Sequence, residues 1–543
     1  MKKYAQYFYF LLIFCAVGQV IAFEGEEFEL FDDLDNISQL VENHHHEVLR
    51  SEPTISAIII FDTLNQTGGL LRVASDELYL RTNPLRRRTL PSLPIFQFPR
   101  YEFGKNFSGW VIYNQTYKGH LWKDKKTIEH VFNLGQENLI ELIDEAQGII
   151  NGQDVAAIDV PEILSLFKPI KAQEHKLAFM MQYARSFNSF KFACNLPFVY
   201  QLNTFFLTNA ERKAIENTPF YDPSTAIHFA THHLISDKFG IGDMQISLEK
   251  LLKEGKSYSI FGGVDITLPT AFAFKKGLVG TYFDKRKQRP SLDIHEDLLS
   301  PYFDSSNGQP ERKGVFLANA ESFLLKAVDR MTTIFIENEL GSDGHLGVGT
   351  FIRSTINLLP HVRLTTKTKF DVPLPRNEWR FIRKPITTQE IQNILNLPHL
   401  TVPESSVKIS LLNDKILQNL FPQSYKTQVF PGIIAQTTLK ISHQGNLWCD
   451  CDEEGIWEQF IGVDTWYQAK EKFIKIDVPA SEQTLLDIAS AQRGYALQST
   501  FFLGVEKNRK DSNWNLGFVA SYGALSYGIG SDITLAFTLS REF

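Results

Sequence analysis

The clearest pattern in the chain is a two-residue alternation at its end. From Ile533 on, odd positions carry Ile533, Leu535, Phe537, Leu539, Arg541 and Phe543, and even positions carry Thr534, Ala536, Thr538, Ser540 and Glu542. A period of two puts these sets on opposite faces of one strand. The same period recurs upstream. Over Tyr258–Leu268 one face is Tyr258, Ile260, Val264, Ile266 and Leu268, and the other carries Ser259, Asp265 and Thr267. Asp265 among hydroxyls suits a wet lumen better than a dry core. Over Val362–Phe370, Val362, Leu364 and Phe370 face one way, and Arg363, Thr365, Lys367 and Lys369 the other.

Further strands are expected at Thr54–Phe61, Leu70–Arg81, Asn106–Tyr117, Leu177–Arg185, Phe190–Thr204, Gly240–Leu252, Leu346–Leu358, Val429–Ser442 and Trp457–Gln468, and near 497–505 and 514–522. That makes roughly twelve to fourteen strands. Helical spacing is confined to connections, at 127–170, 210–217, 318–336 and 388–396, the last beginning with Thr387 and Thr388 ahead of Glu390.

Connection lengths carry a second pattern. With Phe543 at one rim, the connections at 269–271, 359–361, 443–456 and 508–513 fall on that side and are short. Those at 284–344, 371–429 and 469–494 fall on the opposite side and are long. A short one, 524–530, also falls there. Upstream of about residue 255 the count fails, because it puts the long stretch 205–239 with the short turns.

Composition narrows the class. The chain has 543 residues, is 43% hydrophobic and 13% aromatic, and has a mean hydropathy of -0.16. That mean is too polar for a bundle of membrane helices, but alternating strands hide apolar surface from an average. The net charge of -7 gives no reason to expect a nucleic-acid partner. Lys2 and Lys3 precede the apolar run Tyr4–Val17, and Val20-Ile21-Ala22 places small or modest residues before Phe23. This is an export signal with cleavage between Ala22 and Phe23. No later apolar run is long enough for a membrane helix. Residues 23–53 are acidic and read as an N-terminal extension on the periplasmic side.

Taken together, these features resemble the outer-membrane β-barrels of diderm bacteria, with the closing strand similar to their C-terminal assembly signal. The resemblance implies an all-β, transmembrane, antiparallel up-and-down barrel over residues 54–543, with long helix-containing loops outside. It also implies outer-membrane lipid as surroundings, and barrel assembly machinery that reads Ile533, Leu535, Phe537, Leu539 and Phe543. Tyr258, Trp448, Trp457, Trp466, Tyr467, Trp514, Tyr522 and Tyr527 then belong to aromatic girdles at the strand ends. A plug domain is not expected ahead of the first strand.

Candidate chemistry is sparse. Cys194, Cys449 and Cys451 are too few for a disulfide framework. His44–His46 read as part of a solvated tail. His228 and His232 have helix spacing, but Phe229 stands where a metalloprotease needs Glu. Arg86–Arg88 read as a solvated loop. No metal, cofactor or catalytic residue is expected. The leading reading is a porin-like channel for small solutes. On its lumen wall, Arg363, Lys367 and Lys369 either favour anions or are neutralised by Asp265 and other carboxylates. The alternatives are an adhesive or structural envelope barrel, an outer-membrane hydrolase, and a soluble secreted β protein.

Overall fold

A computed structural model describes residues 88–98, 105–118, 171–206, 235–276, 340–395, 411, 415, 418–419, 422–445, 456–508 and 514–542. Within them run β1 (Lys105–Lys118), β2 (Lys171–Phe187), β3 (Phe190–Phe206), β4 (Ile235–Ile241), β5 (Met244–Glu254), β6 (Tyr258–Leu268), β7 (Phe272–Lys276), β8 (Gly347–Leu359) and β9 (Val362–Pro373). There follow β10 (Arg376–Ile382), α1 (Thr388–Leu395), β11 (Gln423–Phe430), β12 (Ile434–Gln444), β13 (Ile456–Gln468) and β14 (Lys472–Ile476). The chain closes with α2 (Ala480–Gln483), α3 (Ile488–Ala491), β15 (Ala496–Asn508), β16 (Trp514–Tyr527) and β17 (Ser531–Glu542). The strands expected at 54–61 and 70–81 lie outside the described residues. So do the helices expected at 127–170, 210–217 and 318–336, and His44–His46, His228, Cys449 and Cys451.

Each wall strand pairs antiparallel with its sequence neighbours in the wall, and β17 pairs with both β16 and β1. Phe537 lies opposite Phe518 on one side and Val111 on the other. The sheet is therefore a closed up-and-down barrel of twelve staves with no open edge. Two staves are composite: β4 runs on into β5, and β6 into β7.

The alternation sorts side chains in the sense opposite to a soluble protein. On β17, Ile533, Phe537 and Leu539 are exposed outward, while Thr534, Thr538 and Ser540 are buried inside. β15 repeats this, with Phe501 and Leu503 outside and Gln498 and Thr500 inside. So does β8, with Val348, Ile352 and Ile356 outside. Uninterrupted strands of 11 to 17 residues with an apolar exterior meet or exceed the roughly 9–11 needed to cross a bilayer. A closed sheet also satisfies every backbone group internally, as lipid requires.

The composite staves correct one expectation. Pro269-Thr270-Ala271 is not a hairpin. It interrupts a stave that β7 continues in the same direction, with β7 pairing to β4 just as β6 pairs to β5. Pro269 supplies no N–H to a ladder, and Asp243, at the matching break, accepts the Ala271 N–H at 3.1 Å. The turn is instead at 255–257. Removing one false hairpin inverts the upstream count. The stretch between β3 and β4 then joins the long connections, and 188–189, 255–257, 360–361, 445–455 and 509–513 form the short-turn end. Asn188, at φ 50, helps make one of the two two-residue turns among these.

At the other end, three adjacent staves continue beyond the barrel. β9 leads into β10 through Leu374-Pro375, β11 into β12 through Pro431–Ile433, and β13 into β14 through Ala469–Glu471. These extensions form a separate sheet in the order β10-β11-β14. The single strand expected over Val429–Ser442 is therefore two, broken where Gly432 takes φ 93. A small core of Ile382, Tyr425, Ile476, Leu486 and Ala491 fixes this outer sheet. On α1, Thr387 and Glu390 exchange hydrogen bonds through side chain and backbone, the reciprocal capping expected there.

Candidate lumen site

One level of the inner face breaks the polar rule. There Ile112 on β1, Ala178 and Met180 on β2, Val199 on β3, Phe460 on β13, Phe502 on β15, Val519 on β16 and Ala536 on β17 point inward together. Water-facing apolar side chains at this level would be costly, and they are covered. Residues 88–98 lie inside the barrel and set Leu90, Leu93 and Phe96 against this belt. Phe96 meets the Trp110 ring edge-on, with centroids 5.3 Å apart. Fully burying a Leu or Phe side chain is worth about 1.5–3 kcal/mol, so three such anchors hold the segment substantially.

The segment bonds part of its backbone internally. It forms two short 3-10 turns, Leu90–Ser92 and Pro94–Phe96. The N–H groups of Ser92, Leu93, Phe96 and Gln97 donate to carbonyls three residues back, and the Gln97 amide donates to Pro91 O and Leu93 O. Proline at each turn start suits a position where no N–H is needed. The wall reaches the segment's backbone at Ser92 O, which accepts from Gln436 at 2.9 Å. No ladder joins the two, unlike every other strand of the barrel.

Arg88 anchors the segment's start. Its guanidinium lies 2.8 Å from Asp464, donates to Gln498 at 3.1 Å, and stands 5.7 Å from the centre of the Trp466 ring. Asp464, fully buried, also accepts from Gln436 at 2.8 Å and Thr438 at 2.5 Å. Gln498 in turn donates to Asp532 at 2.7 Å, which accepts from Asn114. A cavity of about 40 Å³ remains between Arg88, Leu90, Leu93 and this polar ring. The reading of Arg88 as part of a solvated loop is thus corrected: the carboxylate that balances it lies inside the barrel. The stretch 23–53, for which no plug domain was expected, lies outside the described residues; what enters the barrel is the short segment 88–98. A twelve-stave lumen lies between the side-chain-filled eight-stave barrels and the open sixteen-stave ones, so it has room for such a segment.

The opposite wall is charged. Asp265 lies 2.9 Å from Lys369 and 3.8 Å from Lys367, and accepts from Ser247. Lys369 also pairs with Asp371 at 2.9 Å, and Arg353 pairs with Glu249. The Lys367 ammonium sits 4.2 Å over the Phe351 ring. Arg363 shares the face of Lys367 and Lys369, in register with Ser442 and Asn357. Of the two readings of this wall, mutual neutralisation is the one these distances describe for Lys367 and Lys369.

A second buried network ties the outer sheet to the start of β8. His345 donates through Nδ1 to Leu374 O at 2.8 Å, and its Nε2 lies 3.4 Å from Glu378. Arg380 bridges Glu378 at 3.2 Å and Glu471 at 3.1 Å, and Arg493 reaches Asp343 at 3.3 Å. Burial pulls the His345 pKa down, but Glu378 and the Leu374 carbonyl outweigh it and raise it above the ordinary value. For Glu378, burial pushes upward and Arg380 overcomes it, holding the carboxyl below its usual range.

Of the expected girdle residues, Trp457, Tyr467, Trp514 and Tyr522 are exposed outward. Trp466 is not a girdle residue. It is buried against Ala496 and Ile529, under Arg88. Cys194 is free and half-buried on β3. Among the described residues no group of His, Cys, Asp and Glu is arranged to hold a metal.

The fold and its inside-out wall define the class: a membrane-type β-barrel, like those of the outer membrane. No protein-family model and no curated protein matches the chain. Among solved structures, an outer-membrane channel from Pseudomonas putida F1 is similar at 6% identity, over 82% of this chain and 97% of that one, with a TM-score of 0.37. The toluene transporter TbuX of Ralstonia pickettii is similar at 9% identity, over 84% and 92%, with a TM-score of 0.31. The β domain of the Bordetella autotransporter BrkA is similar at 6% identity, over 81% and 100%, with a TM-score of 0.31.

Proposed function

We propose that this protein is an outer-membrane channel for the passive passage of small solutes, closed in this structure by residues 88–98. The short-turn end then faces the periplasm and the outer sheet faces the medium. The observation that carries the proposal is the manner of closure. Residues 88–98 occupy the lumen with no ladder to the wall, and among the described residues they are held there by side-chain contacts and by the Ser92 carbonyl. Away from the belt the lumen is polar. The hydroxyls of Thr500, Thr538 and Ser540 are buried on the inner face with no hydrogen-bond partner among the described residues.

Osmotic swelling of liposomes tests this reading. The chain carrying Arg88→Ala and Phe96→Ser should admit a small sugar faster than the wild type, while both keep a folded barrel that unfolds only on boiling. Equal impermeability of the two, with both folded, would remove the channel reading and leave an envelope-structural role.

A further inference from the structure

We infer that the apolar belt is itself a solute site, and that its ligand is a small uncharged solute of mainly apolar surface. This rests on the channel reading and narrows it. A lumen meant only for ions and sugars has no use for Ile112, Met180, Val199, Phe460, Phe502 and Val519 together on one side, since apolar surface left facing water is unfavourable. The same side offers an apolar solute the surface it prefers. Residues 88–98 occupy this place as a stand-in ligand: two leucines and a phenylalanine fill the belt, while polar contacts lie at the rim through Arg88 and Ser92.

The segment's construction fits a displaceable occupant. The N–H groups of Ser92, Leu93, Phe96 and Gln97 bond within its own turns, so leaving the belt orphans none of these four. What is lost on leaving is chiefly apolar contact, and an incoming apolar solute restores that. Solute and segment therefore compete for one surface, and the solute shifts the equilibrium by its preference for the cleared state. A sugar or an ion has no such preference and leaves the segment seated.

Thiol accessibility reads this competition directly. In full-length protein with its other cysteines replaced by Ser, Leu93→Cys is labelled with a hydrophilic maleimide in lipid nanodiscs. Indole should speed labelling about tenfold, as a population shift near 1.4 kcal/mol does, whereas glucose and potassium chloride should not. Phe502→Gln in the same background should abolish the indole response. Gln97→Cys serves as a second reporter should Leu93→Cys loosen the segment by itself. Labelling indifferent to indole, or raised equally by glucose, overturns the inference. Indole-insensitive labelling together with sugar flux in the Arg88→Ala, Phe96→Ser chain would end the site and keep the channel. Indole-sensitive labelling without any flux would keep the site and end the channel.

Discussion

Arg88 and Asp464 are 376 residues apart in the chain and 2.8 Å apart in the barrel, both almost wholly buried. The guanidinium belongs to the occluding segment and the carboxylate to the wall. Removing one partner of a buried pair strands the other, which typically costs about 3–5 kcal/mol. Arg88→Ala should therefore loosen the segment, seen as faster hydrogen exchange at the internally bonded amides of Leu93, Phe96 and Gln97. The Arg88→Ala, Asp464→Ala pair should cost less than the sum of the single changes. Unchanged exchange in Arg88→Ala would mean that the belt alone holds the segment.

Ile461 is 62% exposed on the outer face of β13. In a bilayer, Ile461→Lys places an ammonium against lipid, at a cost of about 2–4 kcal/mol near the midplane. Folding titrations in lipid vesicles should show that loss. A soluble β protein would tolerate the change or gain solubility, so a neutral result argues for the soluble alternative.

The outer sheet should loosen with rising pH. His345 has its pKa raised in the folded protein, so its bonds to Glu378 and Leu374 stabilise most below the unfolded value of about 6.5. That contribution fades as pH climbs through the raised folded value. Hydrogen exchange in β10, corrected for intrinsic base catalysis, should show protection falling over this interval in the wild type. In His345→Gln it should stay flat. A wild-type profile as flat as the variant's would show that Arg380 and Glu471 hold the sheet without the imidazole.

Deleting Phe543 should impair assembly if the odd-position apolar set Ile533, Leu535, Phe537, Leu539 and Phe543 is what assembly reads. The readout is the fraction of membrane protein whose gel mobility shifts on boiling. Wild-type levels in the deletion would strip the C-terminal residue of this role.

Much of the wall was legible because its two faces meet different solvents. Ile533, Phe537 and Leu539 against Thr534, Thr538 and Ser540 could be read from a period of two alone. The belt went unread because there both phases of a strand are apolar. Phe460 and Ile461 are adjacent and both apolar, as are Phe501 and Phe502, because one faces lipid and the other the belt. That doubled apolarity was the available signal for the belt. Trp466 was taken as a girdle residue from its place near a strand end, although its even position shares the inward phase of Asp464. Pro269-Thr270-Ala271 has turn chemistry and sits at a real break, but only the pairing of β7 with β4 shows that the stave continues. Arg88 carries no local mark of burial, since its partner lies in another part of the chain.

The most direct test is electrical. Wild-type protein and the Arg88→Ala, Phe96→Ser chain are reconstituted in planar bilayers and recorded at equal protein density. The account predicts rare, brief openings for the wild type and frequent, long ones for the variant, with unitary conductance set by the same lumen. Silence from both, with each verified as a folded barrel, would contradict it. So would a wild-type pore already open as often as the variant's.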